Sequence, residues 1–149
     1  VVSDVLAGVL GLDPMAFVPF VNRANGVVYN GAALSSTFKL RGMVKLQLNL
    51  KPSGSQAQVL AYLYDVDALG MGTLITHGAR SLHWATPGQT VSLPVDLHFA
   101  SYNVPKGHHL ALVLDTQDPH YGAASNSDFT DQFMFSYSQV STLTVPYIN

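Results

Sequence analysis

Strict alternation marks the first clear strand. In MVKLQLNLK, Val44, Leu46, Leu48 and Leu50 fall on one face and Lys45, Gln47, Asn49 and Lys51 on the other, the period of a half-buried strand. PSGS at 52–55 follows as a turn. VLAYLYDV behaves differently. Leu60, Tyr62, Tyr64 and Val66 share one face, and Val59, Ala61 and Leu63 share the other. Both faces are apolar, which predicts a central strand covered on both sides. TVSLPVDLHF alternates again and predicts Val91, Leu93, Val95, Leu97 and Phe99 inward, with Ser92, Pro94, Asp96 and His98 outward. Pro94 has no N–H to offer a neighbour, so this strand belongs at an edge or a bulge. HLALVLDT groups Leu110, Leu112 and Leu114, FMFSYS groups Phe133, Phe135 and Tyr137, and STLTVPYI supplies a last strand. Ahead of all these, residues 3–20 predict one or two short helical turns. Ser3 is placed to cap the first, and Asp13 with Pro14 reads as a cap followed by the first helical position. About eight strands with turn signals between them, no long helix and no internal repeat predict an all-β antiparallel sandwich or jelly roll with a short, partly helical N-terminal leader.

The centre of VLAYLYDVDALGMGTLITHG holds Asp65 and Asp67, followed by Gly70 and Gly72. A helix–loop–helix calcium site needs oxygen ligands at its first, third and fifth positions and a bidentate Glu at the twelfth. Counted from Asp65, the fifth position is Leu69 and the twelfth is Thr76, and the flanks are strand-like. A glycosidase pair needs two carboxyls facing each other across a cleft. The reading that fits best is a hairpin whose loop uses Asp and Gly for their turn geometry.

The chain has 149 residues, a length that suits one domain. It has no cysteine, which removes disulfides and thiolate metal sites. The net charge is −2 and no basic run occurs, which argues against nucleic-acid binding. Charged residues make up 11%, against roughly 25% in average domains. The surface is therefore weakly charged, either rich in neutral polar residues or partly covered by something else. All nine acids are Asp, so any mechanism that needs a Glu base is excluded. No apolar window reaches the roughly 18 residues that a spanning helix needs, so no membrane partner is expected. The N-terminal stretch 1–22 is apolar but broken by Asp4, Asp13, Pro14 and Pro19, and it lacks the basic leading region of a signal peptide. It reads as a leader or linker that packs on a neighbouring domain.

Motif chemistry is sparse. The strained elbow G-x-S-x-G of α/β-type serine hydrolases is missing. Ser, His and Asp are all present, so a triad on another fold stays open on residue type alone, though no local motif points to one. His108 and His109 are neighbours, which in a strand point to opposite faces and do not chelate together. His77, His83 and His98 stand singly, and no His-x-His followed by Glu occurs, so each His is expected as a surface or hydrogen-bonded residue. Trp84, Tyr102 and Tyr121 lie in or near predicted loops and are candidates for a sugar-stacking platform, although aromatics near turns also serve as core caps.

Four ordered blocks carry a resemblance. VLAYLYDVDALGMGTLITHGARSLHW is similar to a family pattern of an apolar strand ending in Leu-x-Asp-Val, a Gly-containing turn, then Leu-Ile-Thr-x-Gly and Arg; here Leu63, Asp65, Val66, Gly70, Leu74, Ile75, Thr76, Gly78 and Arg80. PGQTVSLPVDLHFASYNVPKGHHLALVLDTQDPHYG adds Pro87, Gly88, Tyr102, Pro105, Gly107, His108, Leu110, Leu112, Asp118, Pro119 and Tyr121. VVYNGAALSSTFKLRGMVKLQLNL resembles the entry strands and STLTVPYI the exit strand. Together they resemble the C-terminal domain of X-Pro dipeptidyl-peptidases and the related cocaine-esterase-like (CocE/NonD) acyl hydrolases. Three positions depart from the pattern: Val104 stands where Phe is common, His109 where Arg is common, and the loop reads Gln117-Asp118-Pro119-His120.

The resemblance implies a jelly-roll β-sandwich of the galactose-binding-domain-like kind over 27–149, with 1–26 as leader or interdomain linker. It implies an accessory role: packing on and stabilising a catalytic α/β-hydrolase domain of the same polypeptide, with a hand in shaping substrate access. The Ser-His-Asp triad of such enzymes lies in that other domain, so no catalytic, cofactor or metal residue is expected here. Trp84, Tyr102, Asp118, Pro119 and Tyr121 are the expected interdomain or ligand contacts. The alternative is a carbohydrate-binding module of the same broad architecture, with a sugar ligand on Trp84 or Tyr102. A free-standing metal-dependent jelly-roll enzyme is a third, weaker alternative.

Overall fold

The alternating run at 43–51 lies inside a long strand around which one of two sheets is built. The computed structural model describes residues 15–17, 26–118, 130–133, 135–136 and 139–148. In chain order the strands are β1 (Met15–Phe17), β2 (Gly26–Asn30), β3 (Phe38–Pro52), β4 (Gln56–Val66), β5 (Met71–His83), β6 (Val91–Val104), β7 (His109–Asp115), β8 (Asp131–Phe133), β9 (Phe135–Ser136), β10 (Gln139–Val140), β11 (Thr142–Thr144) and β12 (Tyr147–Ile148). Among the described residues there is no helix, and every pairing is antiparallel.

The first sheet runs β1-β5-β4-β7-β2. In the second, β3 pairs with β6 along one side; its other side is lined in succession by β12, β11 and β8. That third lane is one interrupted strand. One of its two gaps falls at Asn49, whose backbone N–H donates to Ser141 Oγ (3.0 Å) and whose Nδ2 donates to the Val140 carbonyl (3.0 Å). Two predicted strands are therefore split. FMFSYS divides between β8, on β3, and β9, on β10, and Tyr137 lies outside the described residues. STLTVPYI breaks at Val145–Pro146, where proline has no N–H for a ladder.

The apolar rows meet between the sheets. Leu40, Val44, Leu46, Leu48 and Leu50 of β3, Val59, Ala61 and Leu63 of β4, and Leu93, Val95 and Leu97 of β6 form one core with Leu112 and Leu114 of β7. A fully buried leucine contributes roughly 1.5–3 kcal/mol, so this row of side chains is the main stabilising term. The doubly apolar β4 is central, as its pattern predicts, and its second face is shielded too: Leu60 and Val66 are buried there, as are Ala111 and Val113 on β7.

Pro94 sits on the edge strand β6, opposite Gln47. The inward prediction for Phe99 is overturned, since its side chain is 77% exposed. Between the pairs Met43↔Phe99 and Lys45↔Asp96, β6 carries one residue more than β3. A bulge of this kind reverses the in–out phase, so Ala100, Tyr102 and Val104 face the core in place of Phe99.

The sheets touch along one margin, where β5 crosses β6. Thr76 Oγ1 donates to the His98 carbonyl at 2.7 Å. Two residues on, a Cβ added to Gly78 would lie 2.5 Å from the Asp96 carbonyl oxygen and 3.0 Å from Leu97 Cα. Only glycine permits this approach.

The helical expectation for the leader fails where it is described. Met15–Phe17 is extended and pairs with Thr73–Met71. The outer edge of β5 offers backbone groups that an extended segment satisfies, and this outweighs the local cap signal at Asp13–Pro14. The remaining predicted turns, at 3–14 and 18–20, lie outside the described residues.

Candidate functional site

The two aspartates of the central motif do different work. Asp67 makes the turn: its Oδ1 accepts from the N–H groups of Leu69 (2.8 Å) and Met71 (2.9 Å). Its own N–H donates to the Met71 carbonyl at 3.0 Å, and Gly70 takes φ +87°. This is the Asp-and-Gly hairpin the sequence predicts, with a carboxylate standing in for backbone acceptors.

Asp65 is not part of the loop. It shares the inward face of β4 with Leu63 and is 4% exposed. Its Oδ2 accepts from Tyr102 Oη (3.0 Å), on the opposite sheet, and its Oδ1 meets His108 Nδ1 (2.8 Å), from the β6–β7 connection. The backbone locks the same place. Leu34 N–H donates to the His108 carbonyl (2.8 Å) and Gly107 N–H to the Leu34 carbonyl (2.9 Å). One carboxylate thus joins both sheets and, through His108, two loops at this end of the sandwich. A buried carboxylate persists only when it is hydrogen-bonded in this way. Among the described residues no serine or threonine hydroxyl is hydrogen-bonded to His108. Sequence reasoning missed this cluster. Its one local signal was an Asp in phase with the buried row of β4.

On the outer face of β4, Tyr62 Oη bonds Asp118 Oδ2 and stacks on His77, ring centroids 6.2 Å apart. The His77 ring meets the edge of His98 at 4.8 Å. Burial holds the His77 pKa below its ordinary value; the charge of His98 pushes the same way and Asp118 partly opposes it. Among the described residues no group of three or more His, Cys, Asp or Glu is arranged to hold a metal ion.

Asp131, at the start of β8, is a different case. Both carboxylate oxygens are shielded from solvent, and among the described residues neither meets a hydrogen-bond partner. Burial pushes its pKa up to about 6.

The expected contact residues do not converge. Tyr102 and Asp118 spend their polar atoms inside the domain, on Asp65 and Tyr62. Pro119 and Tyr121 lie outside the described residues. Trp84, which follows β5, is 92% exposed and has φ +64°, a left-handed backbone that a bulky residue rarely adopts. The next residue is tied down, with Ala85 N–H donating to the Ser55 carbonyl at 2.9 Å. The indole is thus presented to solvent on an anchored, strained support.

The family model of the X-Pro dipeptidyl-peptidase C-terminal non-catalytic domain matches residues 7–138. The chain belongs to this family. Solved structures agree on the fold of the X-Pro dipeptidyl-peptidase C-terminal domain. An aminopeptidase from the marine sediment archaeon Thaumarchaeota archaeon superposes with a TM-score of 0.71 at 13% identity, over 87% of this chain and 27% of that one. An α-amino acid ester hydrolase gives 0.69 at 16% identity, over 85% and 26%. A CocE/NonD family hydrolase from Staphylococcus aureus gives 0.68 at 11% identity, over 91% and 32%. The chain therefore spans about a quarter to a third of the length of these structures. No curated protein matches the sequence.

Proposed function

We propose that this domain is the accessory sandwich of a larger serine hydrolase, an X-Pro dipeptidyl-peptidase or acyl esterase. It packs on the catalytic α/β-hydrolase domain of the same polypeptide, stabilises it and helps to shape substrate access. The observation that carries this reading is the match to a non-catalytic C-terminal domain family, on a chain that spans only part of the similar hydrolases. Residues 27–149 are the body of the sandwich, and 1–26 connect it to the rest while lending β1 to the edge of its first sheet. Trp84 is the proposed anchor in the domain interface, since large exposed aromatics on rigid supports are the side chains that dominate such contacts. Pro119 and Tyr121 belong to the same proposed contact set by position.

A serine-reactive fluorophosphonate, applied to the intact polypeptide and followed by peptide mapping, tests the assignment. The label is expected outside residues 1–149. A labelled serine within them overturns the accessory role.

The exposure of Trp84 also favours a second reading, a carbohydrate-binding module with the indole as stacking platform. Quenching of Trp84 fluorescence across a panel of polysaccharides supports that reading, and an unchanged spectrum removes it.

A further inference from the structure

Among the described residues the two sheets meet closely along the β5–β6 margin. At the opposite margin, between β2 and β7 on one sheet and β3 and β11 on the other, they leave a cavity of about 400 Å³. Leu46 and Leu48 line one wall, and Leu110, Leu112 and Leu114 the other. Leu63 lies at the back, with Leu143 and Tyr29 towards the opening. Alternate residues of β7 stand along the cavity, so Leu110 to Leu114 span about 13–14 Å at roughly 3.4 Å per residue. The cavity thus has a row of three leucines along one wall.

Its chemistry is restricted. Among the described residues no charged side chain lines it; its polar groups are neutral, with Asn30 and Thr142 at the exposed rim. Burial raises the pKa of the Tyr29 phenol, which fits a poorly hydrated wall. Small-molecule sites share this construction, an apolar trough of roughly 300–1,000 Å³ with a few polar groups that fix orientation.

We propose that this cleft between the sheets binds an uncharged, single-chain amphiphile such as a medium-chain alcohol or acyl ester. The alkyl chain lies along Leu110, Leu112 and Leu114, and the head group meets Asn30 and Thr142 at the rim. A carboxylate head is disfavoured, because the walls are apolar and among the described residues no cation lines the site to pair with it.

Titration calorimetry of the intact polypeptide with 1-octanol, and separately with octanoate, tests the proposal. One saturable octanol site is expected in this domain, with octanoate at least tenfold weaker. Leu143→Trp, which fills the cleft from its open side, is expected to weaken octanol binding at least tenfold without lowering Tm. If that variant fails to fold, Leu110→Phe serves as the plug, and the leucine methyl resonances of the unmodified protein give an independent reading. Octanol-dependent shifts confined to Leu110, Leu112 and Leu143 support the site. No octanol binding, binding that survives the plugs, or shifts elsewhere overturns it. Equal affinity for octanoate overturns the uncharged-head assignment.

Discussion

Tyr102 Oη donates to Asp65 Oδ2 across the two sheets at 3.0 Å, and the β6 bulge makes this bond possible. Without the extra residue between Met43↔Phe99 and Lys45↔Asp96, Tyr102 would face solvent and Phe99 the core. The same irregularity therefore exposes a phenylalanine and satisfies a buried carboxylate. Removing a donor from a buried acceptor costs about 1–3 kcal/mol. Tyr102→Phe is expected to lower unfolding stability by that amount in denaturant titration. An unchanged midpoint would mean that His108 alone suffices for Asp65.

Gly78→Ala places a methyl group against the β6 backbone, 2.5 Å from the Asp96 carbonyl oxygen. Backbone does not yield as a side-chain tip does, so the sheets must separate locally. The expected cost is about 1–3 kcal/mol, with faster amide exchange in β6. Wild-type stability in this variant would show that β5 and β6 are less closely apposed.

His77 makes stability depend on pH. Its folded pKa lies below the ordinary value of 6.5, so the unfolded chain binds the proton more readily. Stability from this group is present above pH 6.5 and is lost as pH falls through the folded pKa. His77→Gln is expected to flatten the acid side of a Tm-versus-pH curve. If the slope below pH 6.5 persists, the dependence belongs to another group.

Asp131 acts in the opposite sense. Its folded pKa, about 6, exceeds the ordinary 3.8. Its contribution is fully present below 3.8 and is lost as pH rises through about 6. At neutral pH the chain carries a buried charge with no partner. Asp131→Asn removes that charge while keeping the shape, though its amide must also go unsatisfied. Asp131 as a whole is only half-buried although its carboxylate oxygens are shielded, so the cost is discounted and the expected gain at pH 7 is about 1 kcal/mol, or about 2–4 °C in Tm. A lower Tm at pH 7 would show that the carboxylate has a favourable partner.

Trp84→Gly separates folding from docking. Glycine accepts φ +64° without strain, and a 92% exposed indole takes no packing with it. Amide exchange in β4 and β5 is expected to stay unchanged or slow slightly, in keeping with relief of about 1 kcal/mol. In the intact hydrolase the lost anchor is expected to speed proteolysis across residues 1–26. Unchanged proteolysis removes Trp84 from the interface.

Much of the sandwich is legible in the sequence, because alternation is a local signal. The buried row from Val44 to Leu50, the doubly covered β4 and the Asp67–Gly70 turn each follow from residues adjacent in the chain. What escapes is whatever depends on a partner strand. The phase reversal at Phe99 comes from an extra residue counted against β3. The strand at Met15–Phe17 comes from the open edge of β5, and the Asp65–Tyr102–His108 cluster from three segments far apart in sequence. The family pattern marks several of these positions without explaining them. The structure supplies the reasons: Thr76 and Gly78 clasp the sheets, and Asp65 and His108 close one end.

The interrupted lane beside β3 has a consequence for biosynthesis. Phe38–Pro52 leaves the ribosome well before residues 131–148, whose strands complete its second side. Until those are made, this side of β3 offers unpaired backbone groups and its apolar row lacks full cover. Sheets closed by such distant segments form slowly. Exposed apolar surface and an unpaired strand edge of this kind favour aggregation while the sheet is incomplete.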